Sequence, residues 1–166
     1  VHVTELTSTA GTLRRRVLHP IAFPLWMLAR LPAAWFAGVR VEVLDAKRCV
    51  ASVPYGWRST NPFRSTYFAA QAMAAEMSTG ALVLLAAEQA GGGFATLIVD
   101  MRATFGKKAT GTARFTCEGG AEAFAACAEA RASGTPRTVA LETVGRLADG
   151  TEVSRFEFRW SVKARG

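Results

Sequence analysis

The stretch Asn61-Pro62-Phe63-Arg64-Ser65-Thr66-Tyr67-Phe68-Ala69-Ala70 runs directly into an alanine-rich segment with Glu76 in its interior, which ends at Gly91-Gly92-Gly93. Polar turn residues give way to a long run of strong helix formers. The spacing predicts one helix from about Ser65 to Gln89, with Ser65 or Thr66 supplying the N-cap oxygen and the glycines ending it. Ala, Met and Leu occupy every face of this helix, so it should be buried nearly all round. A carboxylate in such a place costs several kcal/mol unless it is paired, hydrogen-bonded or functional. Glu76 is therefore the residue to explain.

Outward from this helix the chain reads as strands. Val39-Arg40-Val41-Glu42-Val43-Leu44-Asp45 alternates with period two, and Lys47 to Val53 reads as its hairpin partner. Beyond the glycines, Ala95, Leu97, Val99, Met101, Ala103 and Phe105 alternate with Thr96, Ile98, Asp100, Arg102 and Thr104. Gly106-Lys107-Lys108 reads as a turn into a partner strand, Thr110 to Cys117. A short helix from about Ala121 to Ala132 follows, punctuated by Gly134 and Pro136. Thr138 to Leu147 then pairs across Ala148-Asp149-Gly150 with Thr151 to Lys163, Asp-Gly being a strong hairpin signal. In that last strand Phe156, Phe158, Trp160 and Val162 should face the core, with Arg155, Glu157, Arg159 and Lys163 opposite. One apolar helix and about six antiparallel strands make an α+β arrangement in which the sheet must curl around the helix. Alanines at 69, 70, 72, 74, 75, 81, 86 and 87 permit close approach.

Composition sets bounds. The chain has 166 residues, half of them hydrophobic and a fifth charged, which is enough for one folded domain with a sizeable core. The net charge of +7 is spread over separated positions such as Arg40, Lys47, Arg58, Arg102, Arg114, Arg137, Arg155 and Arg159. Scattered charge without a recognisable reading module argues against a nucleic-acid partner, while a phosphate-bearing small ligand is compatible with it. Cys49, Cys117 and Cys127 form no C-x-x-C pair and have no neighbouring histidine, so no metal site is expected. They read as small buried thiols in a reducing cytoplasm. Near the N-terminus, Arg14-Arg15-Arg16 precedes an apolar run that Pro24, Arg30 and Pro32 interrupt. That run is too short to span a membrane and lacks a clean cleavage site. A kinked helix packing on the domain is expected, the alternative being contact of its Trp26, Trp35 and Phe36 with a membrane surface.

The order of elements and the segment from Asn61 to Glu76 resemble the hotdog superfamily, in particular the PaaI-like acyl-CoA thioesterases and an uncharacterised bacterial domain-of-unknown-function branch grouped with them. The likeness covers roughly residues 38–163. It implies a hotdog domain over residues 38–166, behind an N-terminal helical extension over 1–37. PaaI-like enzymes carry an Asn, a Gly-x-x-His-Gly-Gly entry to the helix, and a catalytic Asp or Glu about two and a half turns later. Asn61 falls on that Asn and Glu76 on that carboxylate. Tyr67 stands where the His usually is, and Phe68 and Ala69 where the two glycines usually are.

The resemblance implies an acyl-CoA thioesterase-like hydrolase working as a homodimer or tetramer, with coenzyme A only as part of the substrate. In chemical terms, backbone N–H groups near Phe68 and Ala69, aided by the helix dipole, would polarise the thioester carbonyl. Glu76, shielded by Ala and Met, would have a raised pKa suited to a general base, or would act as nucleophile. Asn61 would orient water or carbonyl, or else simply start a turn. Thr79 lies one turn beyond Glu76 and could bond it or the water. Tyr67 either offers a hydroxyl in place of the imidazole or packs at the helix entrance. Arg64, Lys107, Lys108 and Arg114 are candidates for gripping coenzyme A phosphates. Two alternatives stay open. Glu76 can be a structural ion pair with Arg58, Arg64 or Arg102, and the protein can be a non-catalytic acyl-CoA or fatty-acyl binding protein on the same fold. With His2 and His19 as the only histidines, both ahead of the strand region, histidine-dependent hotdog chemistry and a Ser/His/Asp triad are not expected.

Overall fold

In the computed structural model, which describes residues 5–165, the alanine-rich segment forms helix α4 (Phe68–Gln89). Three short helices precede the sheet: α1 (Ser8–Val17), α2 (Ala22–Arg30) and α3 (Pro32–Ala37). Strands β1 (Arg40–Leu44) and β2 (Cys49–Val53) come before α4. After it come β3 (Phe94–Phe105), β4 (Ala113–Cys117), helix α5 (Gly120–Ser133), β5 (Arg137–Arg146) and β6 (Glu152–Ala164). All five pairings are antiparallel, in the order β1-β2-β4-β5-β6-β3. The sheet wraps α4 in the hotdog manner. Ala70, Ala74, Ala75, Ala81, Ala86 and Ala87 are all buried, the close contact that small side chains permit.

Local chemistry explains most boundaries. Asp45 Oδ1 accepts from the N–H groups of Lys47 and Arg48 (2.8 and 2.9 Å), closing the β1–β2 turn. Gly91, Gly92 and Gly93 all take positive φ (96°, 69° and 65°), which ends α4 at little steric cost. Asp149 Oδ1 accepts from the Thr151 N–H, and Gly150 has φ 86°, giving the β5–β6 hairpin. Phe156, Phe158, Trp160 and Val162 point into the core as their alternation requires.

Three expectations need correction. Neither Ser65 nor Thr66 caps α4; Tyr67 holds that place without a side-chain bond. The hydroxyl of Ser65 donates to Asn61 Oδ1, and Thr66 gives both its hydroxyl and its N–H to the Ala109 carbonyl, so the turn consumes the capping groups. Second, β3 does not pair with the following strand: β3 lies beside β6, while β4 sits between β2 and β5. Third, the even alternation of β3 breaks at Val99, where the register with β6 shifts by one residue. Thr96 and Ile98 therefore share the inward face with Met101, Ala103 and Phe105, whose partners across the ladder are Phe158, Phe156 and Ser154.

Candidate active site

Interior polar side chains of α4 divide into two groups. On the sheet side every one is satisfied. Gln71 donates to the Thr66 carbonyl (3.0 Å) and accepts from the Ser154 hydroxyl (2.7 Å). The Ser78 hydroxyl bonds the Ala75 carbonyl (2.7 Å) and the Thr143 hydroxyl (2.8 Å). Thr79 donates to the backbone carbonyl of Glu76 (3.1 Å) and accepts from the Trp160 indole N–H (3.1 Å). The Thr79 hydroxyl is thus committed to backbone and sheet, not to the Glu76 carboxylate.

Glu76 itself makes no side-chain hydrogen bond or ion pair among the described residues; Arg102 pairs with Asp100 at 3.8 Å, and neither Arg58 nor Arg64 reaches it. Burial in apolar surroundings pushes its carboxyl above the usual carboxylate range. Its side chain leans along the helix over Gly80, the one glycine inside α4. A methyl group at position 80 would stand 2.8 Å from Glu76 Oε1 and 3.3 Å from the edge of the Trp160 ring. Gly80 thus makes room for the carboxylate. The sequence signal was available, since a glycine four residues after the acid in a helix of alanines calls for a reason.

The carboxylate opens into a cavity of about 610 Å³. One wall is α4 (Met77, Ala81, Leu84) with Thr96 and Trp160 from the sheet; the other is the N-terminal helices, which contribute Leu13 and Val17 from α1 and Phe23 and Trp26 from α2. Phe23 and Trp26 stack with ring centroids 5.6 Å apart. Sequence reasoning missed this wall, because nothing local to residues 8–31 states which part of the domain they cover. The arm is moored at both ends of α1. The N–H of Thr7 donates to Gln89 Oε1 (2.8 Å), Gln89 Nε2 donates to the Glu5 carbonyl (3.2 Å), and Arg14 Nε donates to the Leu44 carbonyl (2.7 Å). A second cleft, about 520 Å³, lies between α2 and β1 and holds His19, Arg40 and Arg58.

The start of α4 carries the expected free donors. The N–H groups of Phe68, Ala69 and Ala70 find no acceptor among the described residues. Glu76, however, lies eight residues further on, about 12 Å along the axis at 1.5 Å per residue. The carboxylate is therefore not beside the amide mouth of its own helix. Tyr67 and Phe68 are exposed there and meet edge to face (4.8 Å); Phe68 continues to Phe105 and Phe105 to Phe156. Asn61 Oδ1 accepts from the N–H groups of Phe63 and Ser65, so this oxygen is used in shaping the loop. That loop holds Arg64 at φ 58°, the one non-glycine residue with positive φ among those described. Of the cation candidates, Lys108 donates to the Phe63 carbonyl (3.0 Å), which brings the 106–110 segment against Arg64's loop. Arg114 is elsewhere, on β4, paired with Glu42 at 2.8 Å. Lys107 is exposed in the same segment as Lys108.

The cysteines offer no nucleophile. All three are buried free thiols, and burial pushes Cys117 and Cys127 up to about 11.

This architecture and its acid-bearing central helix define a hotdog domain. Residues 21–162 match the family described as a domain of unknown function, DUF4442, and the chain belongs to that family. No curated protein matches it in sequence. Among solved structures, the chain is similar to a Pseudomonas aeruginosa protein described as of unknown function and a "probable thioesterase" (21% identity, 96% of this chain and 99% of that one, TM-score 0.69). It is also similar to a protein of unknown function from Chlorobaculum tepidum (13%, 94% of each chain, TM-score 0.74) and to a thioesterase from Haemophilus influenzae (13%, 95% and 92%, TM-score 0.61). At these identities the likeness shows a shared fold.

Proposed function

We propose that the chain is an acyl-CoA thioesterase that works as a homodimer, with Glu76 as the base. The observation that carries this reading is the unpaired carboxylate facing an apolar cavity, on a helix whose other interior polar groups are all bonded. Burial makes such a carboxylate more basic than an exposed one, which strengthens it as a general base. Glu76 takes a proton from water as the oxygen attacks the thioester carbonyl, and returns it to the departing thiolate of coenzyme A when the tetrahedral intermediate collapses. Acting instead as nucleophile, the carboxylate would attack the carbonyl and expel the thiolate of coenzyme A, which takes up a proton from water. The mixed anhydride so formed would be opened by a second water to free acid and carboxylate.

The oxyanion needs N–H donors within hydrogen-bond reach of the carbonyl, and the start of the same helix is too far away. A second copy of the chain supplies them in this proposal. β3 is a 12-residue strand at the sheet edge, and Leu97, Met101 and Phe105 are 64%, 49% and 51% exposed. A long, mostly uncharged edge with unpaired backbone groups is a template for strand pairing. Pairing two such edges would continue the sheet across the dimer and bring the Phe68–Ala70 amides of one copy toward the Glu76 of the other. Arg64 and Lys108, adjacent at the helix mouth, would then face the phosphates of coenzyme A.

The test is hydrolysis of a panel of acyl-CoA thioesters, followed by release of free thiol, for the native protein and Glu76→Gln. Turnover by the first and its loss in the second is the expected result. Equal turnover by both removes Glu76 from the mechanism. Tight binding without turnover by the native protein favours the acyl-CoA binding reading, for which the bulky Tyr67 and Phe68 at the helix mouth speak. Light scattering of Leu97→Arg tests the edge: a monomer is expected where the native chain is a dimer.

A further inference from the structure

The cavity beside Glu76 is larger than a base and a water need, and its walls are apolar. Of the side chains that line it, only Arg16, Glu76 and Thr96 carry charge or a hydroxyl; the rest are aliphatic, aromatic or glycine. A volume of about 610 Å³ lies in the range of sites that bury most of a small-molecule ligand. The polar groups are unevenly placed. Arg16 is exposed and has no carboxylate partner among the described residues, so it offers a counter-charge to an anionic group at the rim. On the α2 side, Phe23 is buried and Trp26, stacked upon it and 48% exposed, lines the cavity. An occupant with an anionic head and an apolar, flexible body fits this distribution; a short or polar acyl group would leave the walls facing water.

We propose that this chamber holds the aliphatic tail of a medium-chain acyl thioester, and that Trp26 of the N-terminal arm sets the chain length accepted. The proposal rests on the thioesterase reading for its substrate and adds what that reading leaves open, the class of acyl group. Its physical basis is transfer of methylenes from water to the apolar walls. Each added methylene should raise kcat/KM roughly fourfold until the chamber is full, after which the gain stops. The arm is thereby a specificity element and not only a cover for α4.

The experiment measures kcat/KM for acetyl-, butyryl-, octanoyl-, lauroyl-, palmitoyl- and benzoyl-CoA with the native protein, Trp26→Ala and Ala81→Leu. It also measures binding of non-hydrolysable thioether analogues of the acetyl and lauroyl substrates by calorimetry. The native protein is expected to rise steeply from acetyl to a maximum at octanoyl or lauroyl. Trp26→Ala should move that maximum by two or more carbons toward palmitoyl, and Ala81→Leu, which fills the chamber from the α4 side, should move it toward butyryl. A flat profile, or a preference for acetyl- or benzoyl-CoA, overturns the proposal while leaving the hydrolase reading intact. So does a Trp26→Ala that scales all substrates alike. If Trp26→Ala does not fold, an Ala81→Leu profile identical to the native one overturns it. Absence of turnover, with the lauroyl analogue bound at least tenfold tighter than the acetyl analogue, upholds the chamber and removes the hydrolase. Absence of both turnover and chain-length-dependent binding removes both.

Discussion

Helix α4 has two contrasting sides. Toward the sheet, Gln71, Ser78 and Thr79 each find a partner, and the cost of burying them is offset bond for bond. Toward the N-terminal arm, the half-buried Glu76 has none, and its carboxylate opens into the cavity. The proposed role of Glu76 as a base rests on this difference between the three bonded neutral groups and the one carboxylate without a partner. The contrast divides a single element: the sheet side holds the helix, and the arm side leaves a carboxylate without a partner.

The largest expected effect is chemical. Glu76→Gln should lower kcat about a hundredfold or more toward the best acyl-CoA, the usual contribution of a positioned base, while leaving binding of a thioether analogue within a factor of a few. The sheet side should behave in the opposite way. Thr79→Val keeps the shape but leaves the buried Trp160 N–H without an acceptor, so it should cost about 1–3 kcal/mol. That is a melting temperature lower by roughly 2–10 °C for a chain of this size, as read by calorimetry. Gly80→Ala probes the seam between the two sides. The new methyl displaces the flexible end of Glu76, so turnover should fall about tenfold, a loss equivalent to about 1.4 kcal/mol. The melting temperature should change little, because Ala is the better helix former by roughly 0.5–1 kcal/mol while its methyl crowds the buried Trp160 ring at 3.3 Å.

The smallest effect is a pH dependence. Because the Glu76 pKa is raised in the folded protein, the native state binds more protons than the unfolded chain as pH climbs past the ordinary carboxylate value. Stability from this group is therefore full in acid and is lost as pH rises through the folded-state pKa. The melting temperature of Glu76→Gln should match the native one in acid and exceed it near neutrality, with the gap opening between those limits. A gap that closes as pH rises would mean that the carboxylate gains a partner when it ionises.

Much of this could be read from residues alone, for identifiable reasons. Glu76 stood out because its neighbours are Ala and Met, and Gly91 to Gly93 and Asp149-Gly150 mark their turns by backbone conformations that local sequence dictates. The β6 alternation was plain because one face is core and the other carries charge. Sheet order was not legible: Gly106 to Lys108 has the composition of a hairpin turn, yet pairing is decided by which strands can close over α4. The Val99 bulge was equally hidden, since an inserted residue leaves no mark in an alternating apolar run. Thr66 looked like a cap because the competing acceptor, the Ala109 carbonyl, lies 43 residues away. Of the site, the acid was legible and its surroundings were not. The arm's placement over Glu76 depends on contacts between distant segments, and Trp26, with Trp35 and Phe36, offered the alternative of a membrane contact.

The Gln89 side chain, which bonds the Thr7 N–H and the Glu5 carbonyl together, acts as a two-point clasp at the far end of the arm. Anything that pries the clasp open, such as a fusion tag crowding it or a protease cutting beside it, would remove one of the two moorings of α1. The oily cleft beside Glu76 would become a wet trough, and with it would go the chain-length selection proposed for Trp26.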